Sequence, residues 1–570
     1  MKFVPKYCLT LTSESAFRSG NRGLMIANKL ILDELPYLKK KKLNNKFFFR
    51  MNYLNVYKYS LKLDSFTKKK FFIYKPQIVS VLNKYHNVNE NEKYWDKIIG
   101  SWLWDVINII KLRLDDLFPF KKKKVFIIGL EKDNFNFFNN SFEFYALAAD
   151  QGYLNQFIYS RIAEILKINQ KKINYRLKIP EIPKKSNNCL FFFFNLFYSL
   201  YIRIFKPIVL INSYINYVDR LKINFLSKGL IIFPKENHLF KKNINTKIDH
   251  TIRSRIKIKE KEFFDKIFNS LIEYLMPTSF LEDFSKIKKN ILNYSENISL
   301  IGSAMSFFSD DRYKILTAEL LKQKKKPIIF EHGHVNKTML HTKHENELKN
   351  IQQHICFSNK DGLGSSILRR LKIGYRHKYS SKIVLFTTKI DSFLSKIHFA
   401  DVDREKTMNR NFNFYKNLNQ DLKSQFFLKL HEHKFDFEKK LWLDKFGKDL
   451  NIYYGDSKNL IQQAKIVVIS YFSTTVYEAL YLDKPTIMYF NRDESWFTKK
   501  FYNFINNFFE VGIAHNNSFD AANFLNKNYY SIEDWWLSTK VRKVLNIFRK
   551  NYCVDKKNFV SSFVQNFLKN

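Results

Sequence analysis

The feature that most constrains the fold is a regular alternation of short apolar runs and helical segments between residues 298 and 490. Buried parallel strands are short, continuous apolar runs, and crossover helices separate them. The runs predicted as strands cover residues 298–304, 327–333, 354–358, 382–388, 425–433, 451–455, 465–470 and 484–490. The segments predicted as helices between them cover residues 310–324, 457–464 and 474–482. This alternation predicts an α/β protein with parallel sheets.

Two units of this kind meet near residue 375, so the sequence predicts two Rossmann-like domains facing a cleft. The predicted divisions are an N-terminal α/β domain with helical insertions over 1–375, a C-terminal Rossmann-like domain over 376–545 and a C-terminal helix over 546–570. Extra N-terminal helices are expected, most clearly over 94–117, ahead of a buried strand at 125–130 (VFIIGL). Ligands of open α/β sheets bind at the carboxyl ends of strands, so functional residues are expected in the loops that follow them.

The charge of the chain allows two interpretations. Its 570 residues include 97 Lys and Arg against 53 Asp and Glu, a net charge of +44. Such an excess could bind nucleic acid or an anionic membrane surface without any enzymatic activity. However, Lys, Asn, Ile, Phe and Tyr are abundant while Gly (14) and Pro (11) are scarce, as expected of an A+T-rich coding sequence. The lysines are scattered and no RNP-like or helix-turn-helix signature occurs, so no nucleic-acid partner is expected.

Compartment signals are few. Four separated cysteines without a CxxC pair form neither a disulfide framework nor a zinc site. The first thirty residues lack the apolar core of a signal peptide. The most apolar run, 189–202 (CLFFFFNLFYSLYI), is too short to span a bilayer and is followed by Arg203 and Lys206. It is typical of a buried helix or of a patch resting on an anionic membrane. The protein is therefore expected to be cytoplasmic, with the inner membrane face as a candidate partner.

The richest cluster of polar residues follows the strand predicted over 465–470. The segment SYFSTTVYEAL contains Ser470, Ser473 and Thr474 at a strand-to-helix turn, where helix N–H groups and the helix dipole suit a phosphate. Glu478 lies four residues beyond Thr474, on the same helix face, and could accept hydrogen bonds from ribose hydroxyls. The alternative is an ordinary helix cap followed by an acidic side chain.

Two further clusters follow other strands. Glu331, His332 and Gly333 follow the run PIIF, and a histidine at a strand end titrates near neutral pH, as a general base must. Lys429 and His431 end the run QFFLKLH, where alternation would put both on one face and allow them to neutralise a diphosphate. Either cluster could instead be an ordinary solvent-exposed surface.

Several motif classes are excluded. The sequence contains no P-loop, no GxGxxG and no GxSxG, which disfavours NTPases, dehydrogenases and serine hydrolases of the usual kinds. His341, His344 and Glu345 lie near His332 but match no usual zinc spacing, so no metal site is predicted.

These clusters, in this order, resemble the GT-B style of glycosyltransferases and polyol-phosphate transferases. More closely, the chain resembles a transferase family encoded with O-antigen and other surface-polysaccharide genes. The resemblance spans roughly residues 80–553. Its residues are Leu82-Asn83, His86, Tyr94-Trp95, Gly100, Trp102-Leu103, Arg113, Ala318, His332-Gly333, His344-Glu345, the segments 470–480 and 484–491, Val511-Gly512-Ile513, His515 and Asp534-Trp535-Trp536. Where the family tends to have Gln-His-Gly-Gly, this chain has Glu331-His332-Gly333-His334.

The resemblance implies a metal-independent transferase with a nucleotide-activated sugar as donor, no cofactor, and a glycan or lipid-linked glycan as acceptor. Residues 1–375 would face the acceptor and residues 376–545 would bind the donor. His332 is the predicted general base, with Glu331 as second choice, and the predicted donor-binding residues are Gly333, Lys429, His431, Ser470, Ser473, Thr474 and Glu478. The runner-up within this class is transfer of a polyol phosphate from a CDP-linked donor.

Overall fold

A computed structural model of the chain contains three parallel β-sheets with helices packed around them. The described residues are 7–10, 12, 23–26, 56–131, 135–150, 152–173, 189–235, 247–331, 338, 351, 353–355, 381–388, 393, 404–431, 437–495, 497–553 and 558–568. Within these ranges, every pairing between strands is parallel. The predicted α/β class is therefore confirmed.

The first two sheets come from the N-terminal part of the chain. The N-terminal sheet consists of β1 (Tyr7–Thr10), β2 (Gly23–Ile26), β3 (Val125–Leu130) and β4 (Asn169–Ile173), in the order β2-β1-β3-β4. The middle sheet consists of β5 (Ile208–Ile211), β6 (Ile231–Ile232), β7 (Leu300–Ser303), β8 (Ile328–Phe330) and β9 (Gln353–Ile355), in the order β6-β5-β7-β8-β9.

The C-terminal sheet has six strands. They are β10 (Ile383–Phe386), β11 (Phe426–Lys429), β12 (Asn451–Ile452), β13 (Ile466–Ile469), β14 (Thr486–Tyr489) and β15 (Ala514–His515), in the order β12-β11-β10-β13-β14-β15. Its central strands β10 and β13 are buried along their whole length. The reversal of strand order beside β10 is the kind of switch point at which such sheets bind ligands.

Eleven α-helices accompany the first two sheets in the described residues. They are α1 (Val56–His86), α2 (Glu92–Leu117), α3 (Ser141–Asp150), α4 (Gly152–Leu166), α5 (Cys189–Phe205), α6 (Tyr217–Leu226), α7 (His250–Arg253), α8 (Phe263–Leu275), α9 (Phe284–Ser295), α10 (Ser306–Ser309) and α11 (Asp311–Lys322).

Ten further α-helices follow along the chain in the described residues. They are α12 (Arg404–Lys416), α13 (Gln420–Lys423), α14 (Phe437–Phe446), α15 (Ser457–Gln463), α16 (Thr474–Tyr481), α17 (Lys499–Glu510), α18 (Ser518–Asn528), α19 (Ile532–Leu537), α20 (Thr539–Tyr552) and α21 (Phe559–Leu568).

The predicted N-terminal helix is confirmed as α2, one of the most buried elements of the chain. It begins at the N-cap Asn91, whose side chain accepts a hydrogen bond from the backbone N–H of Tyr94. Apolar side chains on nearly all sides of α2 pack against α1, α4 and α11. Leu112 of α2 and Leu63 of α1 join the apolar cluster of the C-terminal sheet. The N-terminal helices therefore contact the C-terminal part of the chain.

The last helix, α21, packs on the middle sheet. Phe559, Phe563 and Phe567 recur at helical spacing and lie in one apolar cluster with Ile208 and Phe330. The ring of Phe563 stacks on that of Phe330 at 6.2 Å. The chain thus returns from the C-terminal sheet to the middle sheet before it ends.

The N-terminal sheet is the main difference from the predicted architecture. Its strand β4 (NQKKI) is largely exposed and polar, so it carries no apolar signal, and β5 and β6 lie in a stretch whose pattern predicts no division. The predicted boundary near residue 375 lies between β9 and β10, outside the described residues, and the domain limits stay predictions. Residues 546–570, predicted as one helix, contain the end of α20 and all of α21.

Candidate active site

Polar side chains follow three neighbouring strands of the C-terminal sheet. In the strand register, Phe386 of β10 pairs with Lys429 of β11 and with Ile469 of β13. Thr387 and Ser470 are the next residues beyond β10 and β13, so all three polar residues lie at the carboxyl edge of one sheet. Lys429 and Ser470 thus stand at strand ends, as the sequence predicts.

Two hydroxyl groups at this edge are buried without a partner. Ser470 is 1% exposed and Thr387 is 3% exposed. Among the described atoms, neither Ser470 Oγ nor Thr387 Oγ1 has a hydrogen-bond partner. Leaving a buried hydroxyl unpaired costs about 1–3 kcal/mol, and native proteins rarely do so without water or a ligand. The edge therefore keeps two hydrogen-bonding groups available.

Helix α16 begins directly after this edge. Ser473 is its N-cap residue, with an extended backbone (φ −143°), but its side chain makes no capping hydrogen bond. Thr474 is the first helical residue. The interpretation of Ser473 as an ordinary cap therefore lacks the side-chain bond that defines one. The positive end of the helix dipole and its first N–H groups lie beside Ser470, where an anion would be stabilised.

Tyr471, which precedes α16, lies close to several polar residues at the start of that helix. Burial raises the pKa of its phenol, Ser473 beside the hydroxyl lowers it, and the carboxylates of Glu478 and Glu438 raise it again. Glu438 belongs to α14 and is 8% exposed. Glu478, the predicted ribose-binding residue, is half-buried on the second turn of α16. Its carboxylate lies close enough to Tyr471 to raise the pKa of that phenol.

Lys429 and His431 differ in their surroundings. Lys429 is 5% exposed, and its Nζ lies 6.0 Å from the centre of the Tyr453 ring. The predicted strand over 425–433 ends at Lys429, so alternation does not continue to His431, which is exposed. The structure therefore does not place both side chains on one strand face, because the strand ends four residues earlier than predicted.

The segment after β8 reaches the start of the same helix. Glu331 follows β8, is 7% exposed, and donates its backbone N–H to Ile355 O at 2.8 Å. The hydroxyl of Tyr477 on α16 donates to Thr338 Oγ1 at 3.0 Å. Burial raises the pKa of Tyr477, and the negative charge of Glu331 raises it further. The structure therefore brings Glu331 of the middle sheet close to the helix that follows Ser470.

Other predicted residues cannot be placed. His332 and Gly333 lie outside the described residues, as do His341, His344 and Glu345. Within the described part of the chain, no group of three His, Cys, Asp or Glu side chains is arranged to hold a metal ion. In the same part, no helix is both long and apolar enough to cross a bilayer.

The sequence did not single out three residues of the edge: Thr387, Glu438 and Tyr471. A usable signal existed for Thr387, because it directly follows a buried strand, as Ser470 does. Glu438 carries no such signal, since only the fold brings α14 close to α16.

The N-terminal residues of the family resemblance are structural. Trp95 Nε1 donates to Asn83 Oδ1 at 2.7 Å, and Trp102 Nε1 donates to Leu275 O at 3.2 Å. Tyr94 donates its hydroxyl hydrogen bond to Glu319 Oε1 at 2.6 Å. At Gly100, an added Cβ would lie 2.8 Å from Asp96 Oδ1. This block therefore fixes the packing of α1 and α2.

Solved structures similar to this chain include nucleotide-sugar enzymes. An Acinetobacter baumannii MurG is 10% identical, with a TM-score of 0.33, covering 64% of this chain and 99% of its own. A UDP-GlcNAc 2-epimerase from Neisseria meningitidis, bound to UDP-GlcNAc, is 12% identical, with a TM-score of 0.34, covering 64% of this chain and 100% of its own. At these scores, neither substrate nor reaction carries over.

No protein of curated function matches the sequence. A family match, by contrast, covers nearly the whole chain: the model of the LIC12162 family transferases matches residues 37–568. The chain belongs to the LIC12162 family of transferases.

Proposed function

We propose that this transferase moves a sugar from a nucleotide-activated donor to a surface-glycan acceptor, such as O-antigen, capsule or lipopolysaccharide. The observation that carries the proposal is the pair of buried, unpartnered hydroxyls of Ser470 and Thr387 beside the first turn of α16. Phosphate oxygens accept hydrogen bonds from hydroxyls and from helix N–H groups. We therefore assign the donor diphosphate to the carboxyl edge of the C-terminal sheet.

The remaining donor contacts follow from this position. The N–H groups at Ser473 and Thr474 would bind phosphate oxygens, and Glu478 would accept hydrogen bonds from the ribose. Lys429 and His431 would offset negative charge on the departing diphosphate. Such stabilisation of developing charge is the main contribution that a transferase of this kind needs from its protein.

The proposed reaction joins the acceptor oxygen to the anomeric carbon of the donor sugar. The bond between that carbon and the diphosphate oxygen breaks, and the bonding electrons leave with the nucleoside diphosphate. The proton of the acceptor hydroxyl passes to His332, the proposed general base, with Glu331 as second choice. The position of Glu331 near α16 supports a contribution from the middle sheet.

The acceptor is proposed to be a glycan or lipid-linked glycan at the inner face of a membrane, reached from the cytoplasm. No nucleic-acid partner, metal or cofactor is proposed. Transfer of a polyol phosphate from a CDP-linked donor would use the same phosphate-binding edge but break a bond at phosphorus, so the identity of the bound nucleotide and of the product distinguishes the two reactions.

A thermal-shift and calorimetric comparison of CMP, CDP, UDP and GDP tests the donor assignment. We expect one nucleoside diphosphate to stabilise the protein, by about 2.7 kcal/mol at a hundredfold excess over Kd. A protein that none of the four stabilises would contradict the proposal.

Variants of the proposed bases test the reaction itself. His332→Ala should abolish most transfer while the nucleotide still raises the melting temperature, because the base does not contact the nucleotide. Glu331→Gln should have a smaller effect if His332 is the base. Full transfer activity in His332→Ala would overturn that assignment.

A further inference from the structure

Helix α6 exposes a group of large apolar side chains on its outer face. These residues, called the α6 patch below, are Tyr217, Val218, Leu221, Phe225 and Leu226. Their exposure ranges from 51% for Leu226 to 82% for Phe225. Single exposed apolar residues are common on protein surfaces, whereas a contiguous group of this size marks an interaction surface.

The spacing of these residues shows that α6 presents its apolar face to solvent. Tyr217, Leu221 and Phe225 recur every four residues and therefore form one stripe. On the opposite side of the helix, Asp219 and Ile223 are buried against the protein. A helix that belonged only to the core would bury the stripe, so α6 has the orientation of a helix that contacts a second apolar phase.

Helix α5 packs on the other face of the middle sheet. Its Ile202 shares an apolar cluster with Val209 and Ile211 of β5, whereas Ile223 of α6 shares one with Ile208 and Leu210. Alternate residues of a strand point to opposite faces of the sheet. The exposed apolar side chains of α5 are therefore not part of the α6 patch.

The charged side chains that α6 and its following turn expose are cationic. Lys222 lies on the helix and Lys228 in the turn, and both are exposed. Between residues 217 and 235, the one acidic residue in the sequence is Asp219. It is 5% exposed, and Asn216 donates a hydrogen bond to its carboxylate at 2.8 Å. The charge that this helix and its turn expose is therefore positive.

We propose that the α6 patch docks the protein onto an anionic lipid bilayer. Aromatic and aliphatic side chains enter the boundary between headgroups and acyl chains, and the surrounding cations bind anionic headgroups. A protein partner would account for the apolar stripe, but the absence of any exposed acid within the patch favours a uniformly anionic surface. The proposal does not depend on the donor assignment.

Docking also has a consequence for orientation. Helix α6 begins a few residues after β5 ends, at the carboxyl edge of the middle sheet. Glu331 follows β8 at that same edge, because the strands are parallel. The strongly exposed Tyr217 therefore lies at the carboxyl edge of the middle sheet, where Glu331 also lies. This consequence rests on the proposed function: docking would bring the carboxyl edge of the middle sheet close to a lipid-linked acceptor.

Co-sedimentation of the full chain with lipid vesicles tests the proposal. We expect binding to vesicles of phosphatidylcholine and phosphatidylglycerol, weak binding to phosphatidylcholine alone, and weaker binding as salt increases. Phe225→Asp should lower the affinity about tenfold or more, since an acid replaces the most exposed aromatic residue of the patch. Lys222→Gln and Lys228→Gln should each lower it about fivefold, on the anionic vesicles only.

Phe519→Asp is the matched control, because Phe519 is 54% exposed on α18, beside the C-terminal sheet. It should bind vesicles as the unmodified protein does. Equal binding of Phe225→Asp, or no binding to anionic vesicles, would overturn the proposal. So would a dimer in lipid-free solution that Phe225→Asp dissociates, because the patch would then bind a second copy. A nucleotide-induced rise in melting temperature that persists in Phe225→Asp separates this test from that of the donor site.

Discussion

The Tyr-Trp and Gly-x-Trp residues of the N-terminal helical block have paired polar groups, whereas two buried hydroxyls at the carboxyl edge of the C-terminal sheet have no partner among the described residues. In the helical block, Trp95 donates to Asn83, Tyr94 to Glu319 and Trp102 to a backbone carbonyl, all within 3.2 Å. At the sheet edge, the buried hydroxyls of Ser470 and Thr387 have no partner among the described residues. Both regions contain residues of the family resemblance.

The difference shows what each region contributes. A buried polar group that is fully paired fixes the packing of the fold, whereas an unpaired one costs stability and is available to water or a ligand. The Tyr-Trp and Gly-x-Trp residues of the family resemblance therefore define the architecture. The Ser470 edge is the place that we propose for the chemistry. Four substitutions test this division, beginning with the largest expected effect.

Removing Trp95 should destabilise the fold most. Its ring is fully buried and stacks near His86 and Phe284. Trp95→Ala should lower the free energy of unfolding by about 3–5 kcal/mol, as other large core truncations do. Denaturant unfolding measures this loss, with Phe519→Ala as an exposed control that should change it by less than about 0.5 kcal/mol. If Trp95→Ala is as stable as that control, the claim that this block stabilises the fold is contradicted.

The pH dependence of stability should carry a signature of the same block. Burial lowers the pKa of His86 to about 4, although its contact with Phe280 O at 2.9 Å raises it. Between pH 4 and 6.5 the unfolded chain binds the proton more readily than the folded one, so stability should rise with pH across this window. The contribution is on the order of 3 kcal/mol. His86→Gln should flatten that part of the profile, and an unchanged slope would show that His86 is not buried as a neutral ring.

Asp483 extends the comparison to the C-terminal part of the chain. It accepts hydrogen bonds from Trp536, Arg542 and Arg549 at 3.1, 2.5 and 2.7 Å. Burial raises the pKa of Asp483, but the two arginines outweigh it and hold it at about 2.

Because the folded-state pKa is depressed, the carboxylate stabilises the protein above the unfolded pKa of about 3.9, and this stability is lost as the pH falls towards 2. Asp483→Asn should therefore cost about 2 kcal/mol at neutral pH and much less near pH 3. An equal loss at both pH values would exclude a charge-based role.

Ser470→Ala should have the smallest effect on stability. No protein hydrogen bond is lost, so the free energy of unfolding should change by less than about 0.5 kcal/mol. Thr486→Val is the matched control, because the Thr486 hydroxyl is equally buried but donates to Lys484 O at 2.7 Å. It should cost about 1 kcal/mol or more. A reversed order, with Ser470→Ala the less stable variant, would mean that Ser470 serves the fold.

Much of the C-terminal sheet could be predicted because its strands are short apolar runs between helices. The predicted strands over 465–470 and 484–490 correspond to β13 and β14 within two residues at either end. The exposed strand β4 and the two-residue β6 carry too little apolar pattern for this reasoning. In the N-terminal sheet β3 was predicted and β1, β2 and β4 were not, and in the middle sheet β5 and β6 were not.

Some residues of the candidate site could be predicted from the sequence and others could not. Lys429 and Ser470 could be predicted because they follow buried strands, and the structure places both at one edge. Glu438 and the contact of Thr338 with Tyr477 depend on segments far apart in the chain that only the assembled fold brings together. His431 lies two residues beyond the end of β11, so strand alternation does not fix its position, and the roles of His431 and His332 stay predictions.

The most direct test of the central claim is the affinity of Ser470→Ala for the nucleoside diphosphate that stabilises the unmodified protein. Isothermal titration calorimetry should show a loss of about tenfold, the value of one hydrogen bond to a charged phosphate, at unchanged protein stability. Thr486→Val should bind the nucleotide as tightly as the unmodified protein. Unchanged affinity in Ser470→Ala would contradict the assignment of the donor diphosphate to this edge.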